Sequence, residues 1–163
     1  MLKDLKRDFQ DLIKSLTDQH VEFLIVGAHA LAFHGVARYT QHLDIWMRRT
    51  EENARKLDLT LADFGLPISD ADVQQMHAKG KFRLFGHEQT RVEILNFLDG
   101  CDYEEASARA SHELLGGIPV SILGLEDYVA TKVASGRPKD ASDLILLRSK
   151  IGPLPGDSES SNL

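Results

Sequence analysis

Residues 23–47 read FLIVGAHALAFHGVARYTQHLDIWM. An apolar run, a glycine, an alanine-rich segment, a basic link and an alternating run follow one another there. That order predicts a strand, a tight turn, a short helix and a second strand. In the second strand, His42–Met47, period two puts Leu43, Ile45 and Met47 on one face and His42, Asp44 and Trp46 on the other. The apolar trio is the natural core face. The His42/Asp44 face is either the start of a metal-dependent nucleotide site or the solvent side of a half-buried strand. Gly27 ends the first strand, and free N–H groups at the start of the helix from Ala28 to Phe33 would suit a phosphate; alternatively Gly27 only makes the turn.

Outward from this stretch the pattern stays mixed. Leu2 to Asp18 carries apolar residues at helical spacing. Thr50-Glu51-Glu52 caps a helix that ends at Gly65, and Ser69 caps a short one running to Gly80. Lys81–Phe85 and Thr90–Phe97 alternate as a hairpin around Gly86-His87-Glu88, and the second member carries Glu93. Ile118–Ile122 reads as an edge-like strand after Gly116-Gly117. Leu125–Ser135 is a helix with Leu125, Val129, Lys132 and Val133 on one stripe. Gly136 caps it, Pro138 starts the next helix and Asp140 complements that helix's exposed N–H groups. The expected architecture is therefore α/β, with a mixed β-sheet flanked by helices whose central strands are Phe23–Val26, His42–Met47 and Thr90–Phe97.

The chain has 163 residues, which makes one domain over residues 1–151 the expectation, with 152–163 a polar, Pro/Gly-rich disordered tail. A net charge of −6 disfavours non-specific binding to a nucleic-acid backbone, although a local patch could still hold one. Cys101 is alone, the first residues lack the apolar core of a signal peptide, and no run is apolar enough to span a bilayer. A cytoplasmic protein with no membrane partner is the simplest expectation. His29 and His34 lie five apart, which is not the spacing at which a helix shares one metal.

On these residues the chain resembles the nucleotidyltransferase superfamily, in particular its AbiEii-like and minimal (MNT-type) branches. The resemblance lies in the order of Val26-Gly27-Ala28, His34-Gly35, Arg38-Tyr39-Thr40 and His42-Leu43-Asp44. It continues in Arg91-Val92-Glu93-Ile94-Leu95, followed by Gly100 and Glu104-Glu105, and in the run from Lys132 through Arg137, Lys139 and Asp140 to Asp143. Two positions depart from the family pattern: Ala28 stands for a small polar residue or glycine, and His42 for the first metal-binding Asp.

The resemblance implies a divalent metal, Mg²⁺ or Mn²⁺, on His42, Asp44 and Glu93, with Asp44, Glu93 and Asp140 in the chemistry. It implies that Gly27, Ala28, Arg38, Thr40, Lys132, Arg137 and Lys139 hold a nucleoside triphosphate. The acceptor would be a tRNA or a protein hydroxyl, and a cognate antitoxin would be the partner. From the residues alone, Glu93 could equally pair with Arg91 or a lysine on a surface strand, and Asp140 could only cap a helix from which Lys132 snorkels.

Imidazole suits Mn²⁺ better than Mg²⁺, so the His42 departure argues against full two-metal Mg²⁺ chemistry. Two functions of different class thus stay open, an active nucleotidyltransferase and a catalytically degenerate nucleotide- or partner-binding module. A third is an adaptor that uses an exposed Trp46.

Overall fold

In the computed structural model of the chain, residues 6–38, 40–85 and 91–157 are described. In chain order these form α1 (Arg7–Asp18), β1 (Phe23–Val26), α2 (Gly27–Phe33), β2 (Leu43–Met47), α3 (Glu51–Asp63), α4 (Asp70–His77) and β3 (Arg83–Phe85). There follow β4 (Val92–Leu95), α5 (Tyr103–Ala108), β5 (Ser111–Leu115), β6 (Ile118–Ile122), α6 (Leu125–Ser135) and α7 (Pro138–Ile151). Among the described residues the strands make one six-stranded sheet in the order β3-β4-β2-β1-β6-β5. The sheet is mixed: β1 runs antiparallel to β2 and parallel to β6, and β2 runs parallel to β4. The expected α/β class is what the chain adopts.

The three strands expected to be central are neighbours, and their burial explains their sequences. All four residues of β1 are buried, as a continuous apolar run demands when helices cover both faces of a sheet. Leu43, Ile45 and Met47 of β2 are at most 1% exposed, each worth roughly 1.5–3 kcal/mol of burial. α1 adds Phe9, Leu12, Ile13 and Leu16 to the same core.

Two buried asparagines tie the ends of the sheet to the helices. Asn53, 2% exposed in the first turn of α3, accepts from the Glu22 N–H at 2.7 Å and donates to the carbonyls of Glu22 and Arg48, each at 2.9 Å. Asn96, just beyond β4, accepts from the Phe82 N–H and donates to the Met76 and Gly80 carbonyls. Each thereby adds side-chain hydrogen bonds to backbone groups just beyond the strand ends.

Several expectations need correction. Trp46 is 2% exposed and packs edge-on against Tyr103, so it cannot be an exposed adaptor surface. β6 lies inside the sheet; the edge is β5, which pairs with it antiparallel across Gly116-Gly117, both at positive φ. The sequence pattern announces neither β5 nor α5; SHELL places its two leucines side by side and shows no alternation. On α6 the buried residues are Asp127, Tyr128, Val129 and Thr131, while Val133 is 64% exposed.

The fold also continues past Ile151. Leu154 is buried and Asp157 pairs with Arg148 at 2.8 Å, so residues 152–157 do not behave as a disordered tail. The rest of that tail, the start of α1 at Leu2, Tyr39, Thr90 and the Gly86-His87-Glu88 turn lie outside the described residues.

Asn53→Ala removes three hydrogen bonds and leaves the Glu22 N–H without its partner, while the Glu22 and Arg48 carbonyls keep the N–H groups of Arg48 and Thr50. The expected loss is about 1–3 kcal/mol in urea unfolding at neutral pH. A change below about 0.5 kcal/mol, the range of an ordinary surface substitution, would contradict this role at the sheet's ends.

Candidate functional site

Parallel pairing of β2 with β4 aligns Asp44 with Glu93, and antiparallel pairing of β1 with β2 sets Val26 opposite Asp44. The two carboxyl groups consequently lie side by side, within hydrogen-bonding reach, where β1 turns into α2. Gly27 makes that turn at φ +68°, and a Cβ there would sit 2.0 Å from Asp44 Oδ2. Only glycine fits both the backbone angle and the approach of the carboxylate. Asp44 Oδ1 is buried and has no hydrogen-bond partner among the described residues.

This arrangement perturbs Asp44 strongly. Burial, then the charge and hydrogen bond of Glu93, push its carboxyl from an ordinary 3.8 up to about 7, against the pull of Arg83 and Lys132. Glu93 is itself paired, with Arg83 Nε 2.8 Å from Glu93 Oε1. The partner of Glu93 is thus a cross-strand arginine from β3.

A second cluster is built at the corner between α6 and α7. Gly136 ends α6 in the left-handed conformation at φ +63°, Arg137 is the N-cap of α7 and Pro138 opens it. This short corner brings Lys132, Arg137 and Asp140 together. Asp140 Oδ2 accepts from the Arg137 backbone N–H at 3.3 Å and from Nε at 3.0 Å, and Oδ1 accepts from Lys132 Nζ at 3.1 Å. Burial acts to raise Asp140, but hydrogen bonds from Arg137, Ser135 and Lys132 outweigh it and hold the carboxylate well below its usual range.

One turn on, Asp143 pairs with Lys132 at 3.5 Å and with Arg38 at 2.6 Å. Alternating charges therefore run from Arg38 through Asp143, Lys132 and Asp140 to Arg137, and fix the α2–β2 link against α6 and α7.

Both clusters line one cleft of about 350 Å³. All eleven residues singled out from the sequence border it: Gly27, Ala28, Arg38, Thr40, His42 and Asp44 on one side, Glu93, Lys132, Arg137, Lys139 and Asp140 on the other. A volume of this size suits a small-molecule ligand.

Their roles differ from one another. Thr40 Oγ1 bonds the backbone N–H of His42 at 3.1 Å and its carbonyl at 3.3 Å, so it shapes the entry to β2. Asp140 is 0% exposed with both oxygens engaged, which makes it an anchor for two cations. His42 lies at the rim, exposed, and among the described residues no three His, Cys, Asp or Glu side chains converge as a metal cage. Asp44 and Glu93, with one orphaned oxygen between them, nonetheless have the donor chemistry for a hard cation.

Arg83 and Asp143 were not among the eleven. Asp143 had a signal, since it lies three residues from Asp140 and so on the same helix face. Arg83 had none without the register, in which it pairs with Leu95 and is the diagonal neighbour of Glu93. Among the described residues, five basic side chains (Arg38, Arg83, Lys132, Arg137, Lys139) and four acidic ones (Asp44, Glu93, Asp140, Asp143) line the cleft.

No protein-family model and no curated protein matches the chain. Among solved structures it is similar to a Thermotoga maritima protein bearing the name "putative nucleotidyltransferase", at 18% identity and a TM-score of 0.56. The match covers 85% of this chain and 89% of the other. The fold is therefore nucleotidyltransferase-like. No helix among the described residues is long and apolar enough to cross a membrane.

The raised Asp44 carboxyl has a consequence for stability. Between about pH 4 and pH 7 the folded chain keeps a proton that the unfolded chain releases. The contribution is complete below pH 4 and is lost as pH rises through 7. Asp44→Asn mimics the protonated acid, so in EDTA it should exceed the wild type in stability by about 2 kcal/mol at pH 8 and match it near pH 4. Urea unfolding across that range checks this; a variant less stable than wild type at pH 8 would contradict it.

Proposed function

We propose that the cleft binds a nucleoside triphosphate together with a divalent cation, and that the chain is a nucleotidyltransferase-fold protein of the AbiEii-like or minimal branch. The observation that carries the reading is the pairing of Asp44 with Glu93 beneath a set of fixed basic side chains, at the turn from β1 into α2. A triphosphate needs positive charge that does not have to be organised when the ligand arrives. Lys132 supplies it: its Nζ donates to Asp140 at 3.1 Å and lies 3.5 Å from Asp143, which leaves donor capacity for a phosphate oxygen. Arg137 remains 63% exposed while its Nε is held by Asp140, so its guanidinium is aimed yet accessible. Lys139 stands at the same mouth.

Asp44 and Glu93 would hold the cation, Mn²⁺ in preference to Mg²⁺ when His42 assists. Once bound, it would supply charge stabilisation to the triphosphate and acidify an acceptor hydroxyl. A tRNA end or a protein hydroxyl is the acceptor class we favour, with a cognate antitoxin as partner and the cytoplasm as location. The net charge of −6 confines any RNA contact to this local basic patch.

The catalytically degenerate alternative has its own support. His42 sits at the rim, and no cage of three ligands forms among the described residues. In that reading the same cleft binds nucleotide without turnover.

Titration calorimetry with ATP, GTP, CTP and UTP, in Mg²⁺ and in Mn²⁺, tests the shared part of both readings. We expect at least one triphosphate to bind, more tightly with Mn²⁺, and Lys132→Ala to weaken it roughly tenfold or more. Absence of binding by all four triphosphates in both metals would overturn the proposal. Transfer of labelled nucleotide to bulk tRNA or to protein then separates the enzyme from the binding module.

A further inference from the structure

Among the described residues the basic side chains of the cleft outnumber its acidic ones by one before any metal is counted. With the roughly four negative charges of a triphosphate bound, one divalent ion and two leave the cleft about one charge to either side of neutrality, so the contacts of the carboxylate pair, and not the overall charge, set the number of ions.

The chain also blocks part of its own carboxylate pair. Arg83 reaches from the three-residue edge strand β3 to Glu93, Nε to Oε1 at 2.8 Å, and the carboxylate it holds is only 16% exposed. A guanidinium stays charged at any pH at which the chain is folded, so it competes with a metal for that oxygen. On the other side, Asp44 Oδ1 is buried and without a hydrogen-bond partner among the described residues. The pair thus presents one oxygen held by a guanidinium and one without a partner among the described residues.

We infer that Arg83 is a built-in counter-cation for Glu93, so that the carboxylate pair accepts a single divalent ion and the guanidinium supplies the second positive charge facing the phosphates. This rests on reading the cleft as a cation and nucleotide site, and deepens it by assigning the charge on the Glu93 side to protein. Arg83 thereby sets the metal stoichiometry. It also accounts for a site that keeps Asp44 and Glu93 while placing a histidine at position 42.

The test counts Mn²⁺ per chain, by electron paramagnetic resonance of free ion and by calorimetry, for the full-length wild type, Arg83→Gln and Arg83→Lys. Thermal melts confirm that each is folded. The wild type should bind one Mn²⁺. Arg83→Gln should bind Mn²⁺ at least about fivefold more tightly, or take up a second ion, since a charge beside the metal has been removed. Arg83→Lys, which keeps the charge, should stay near the wild type.

Two Mn²⁺ in the wild type would overturn the inference, as would an Arg83→Gln affinity equal to or weaker than wild type, or no Mn²⁺ in any of the three. ATP titrated into the same samples separates this from the nucleotide reading. Absence of ATP binding with the predicted Mn²⁺ pattern would sink that reading, together with the part of Arg83 that faces phosphates, and leave its setting of the metal stoichiometry standing.

Discussion

The structure depends on one costly juxtaposition, two carboxyl groups held side by side by the parallel register of β2 and β4. Like charges at adjacent sheet positions destabilise, and here burial together with the neighbouring Glu93 pushes the Asp44 carboxyl up to about 7. The surroundings are arranged to tolerate it. Gly27 yields the space that any side chain would take, Arg83 neutralises one member, and Lys132 lends its field from α6. Strain retained at one place, with its supports supplied from several elements, is what a binding site at this turn would require.

The second cluster solves the opposite problem, that of holding positive charges still. Lysine and arginine side chains are long and lose considerable entropy when they are fixed. Asp140 and Asp143, each at most 2% exposed, meet that requirement by anchoring Lys132, Arg137 and Arg38. Buried carboxylates of this kind are strongly destabilising when their partners are removed, so the network is structural as well as preparatory for ligand. It also joins the α2–β2 link to the α6–α7 corner, regions that are about a hundred residues apart in sequence, and so closes the cleft from both sides.

The periodic elements could be read from the chain, and the pairings between them could not. Alternation in residues 43–47 and the apolar run 23–26 identify β1 and β2 because their side chains obey period two and full burial. SHELL at 111–115 hides its strand, since an edge strand half open to solvent needs no regular pattern. Among site residues, those on the β1–α2–β2 stretch and the α6–α7 corner are accessible from local motifs. Arg83 is not, because its role comes from a cross-strand diagonal that only the register reveals. The local motif puts Asp140 at the cleft, but sequence position does not show that both of its oxygens are engaged by Lys132 and Arg137. Trp46 illustrates the same limit, since alternation assigns a face but cannot say that α5 covers it.

The central claim is that the Asp44–Glu93 pair is the cation-holding heart of a nucleotide cleft. Its most direct test is a crystal structure grown with Mn²⁺ and a non-hydrolysable triphosphate, with anomalous differences collected at the manganese edge. The account predicts an anomalous peak within coordination distance of Asp44 and on the Glu93 side of the cleft, with phosphates reaching toward Lys132 and Arg137. A triphosphate bound elsewhere on the chain, or a manganese peak remote from Asp44, would contradict it.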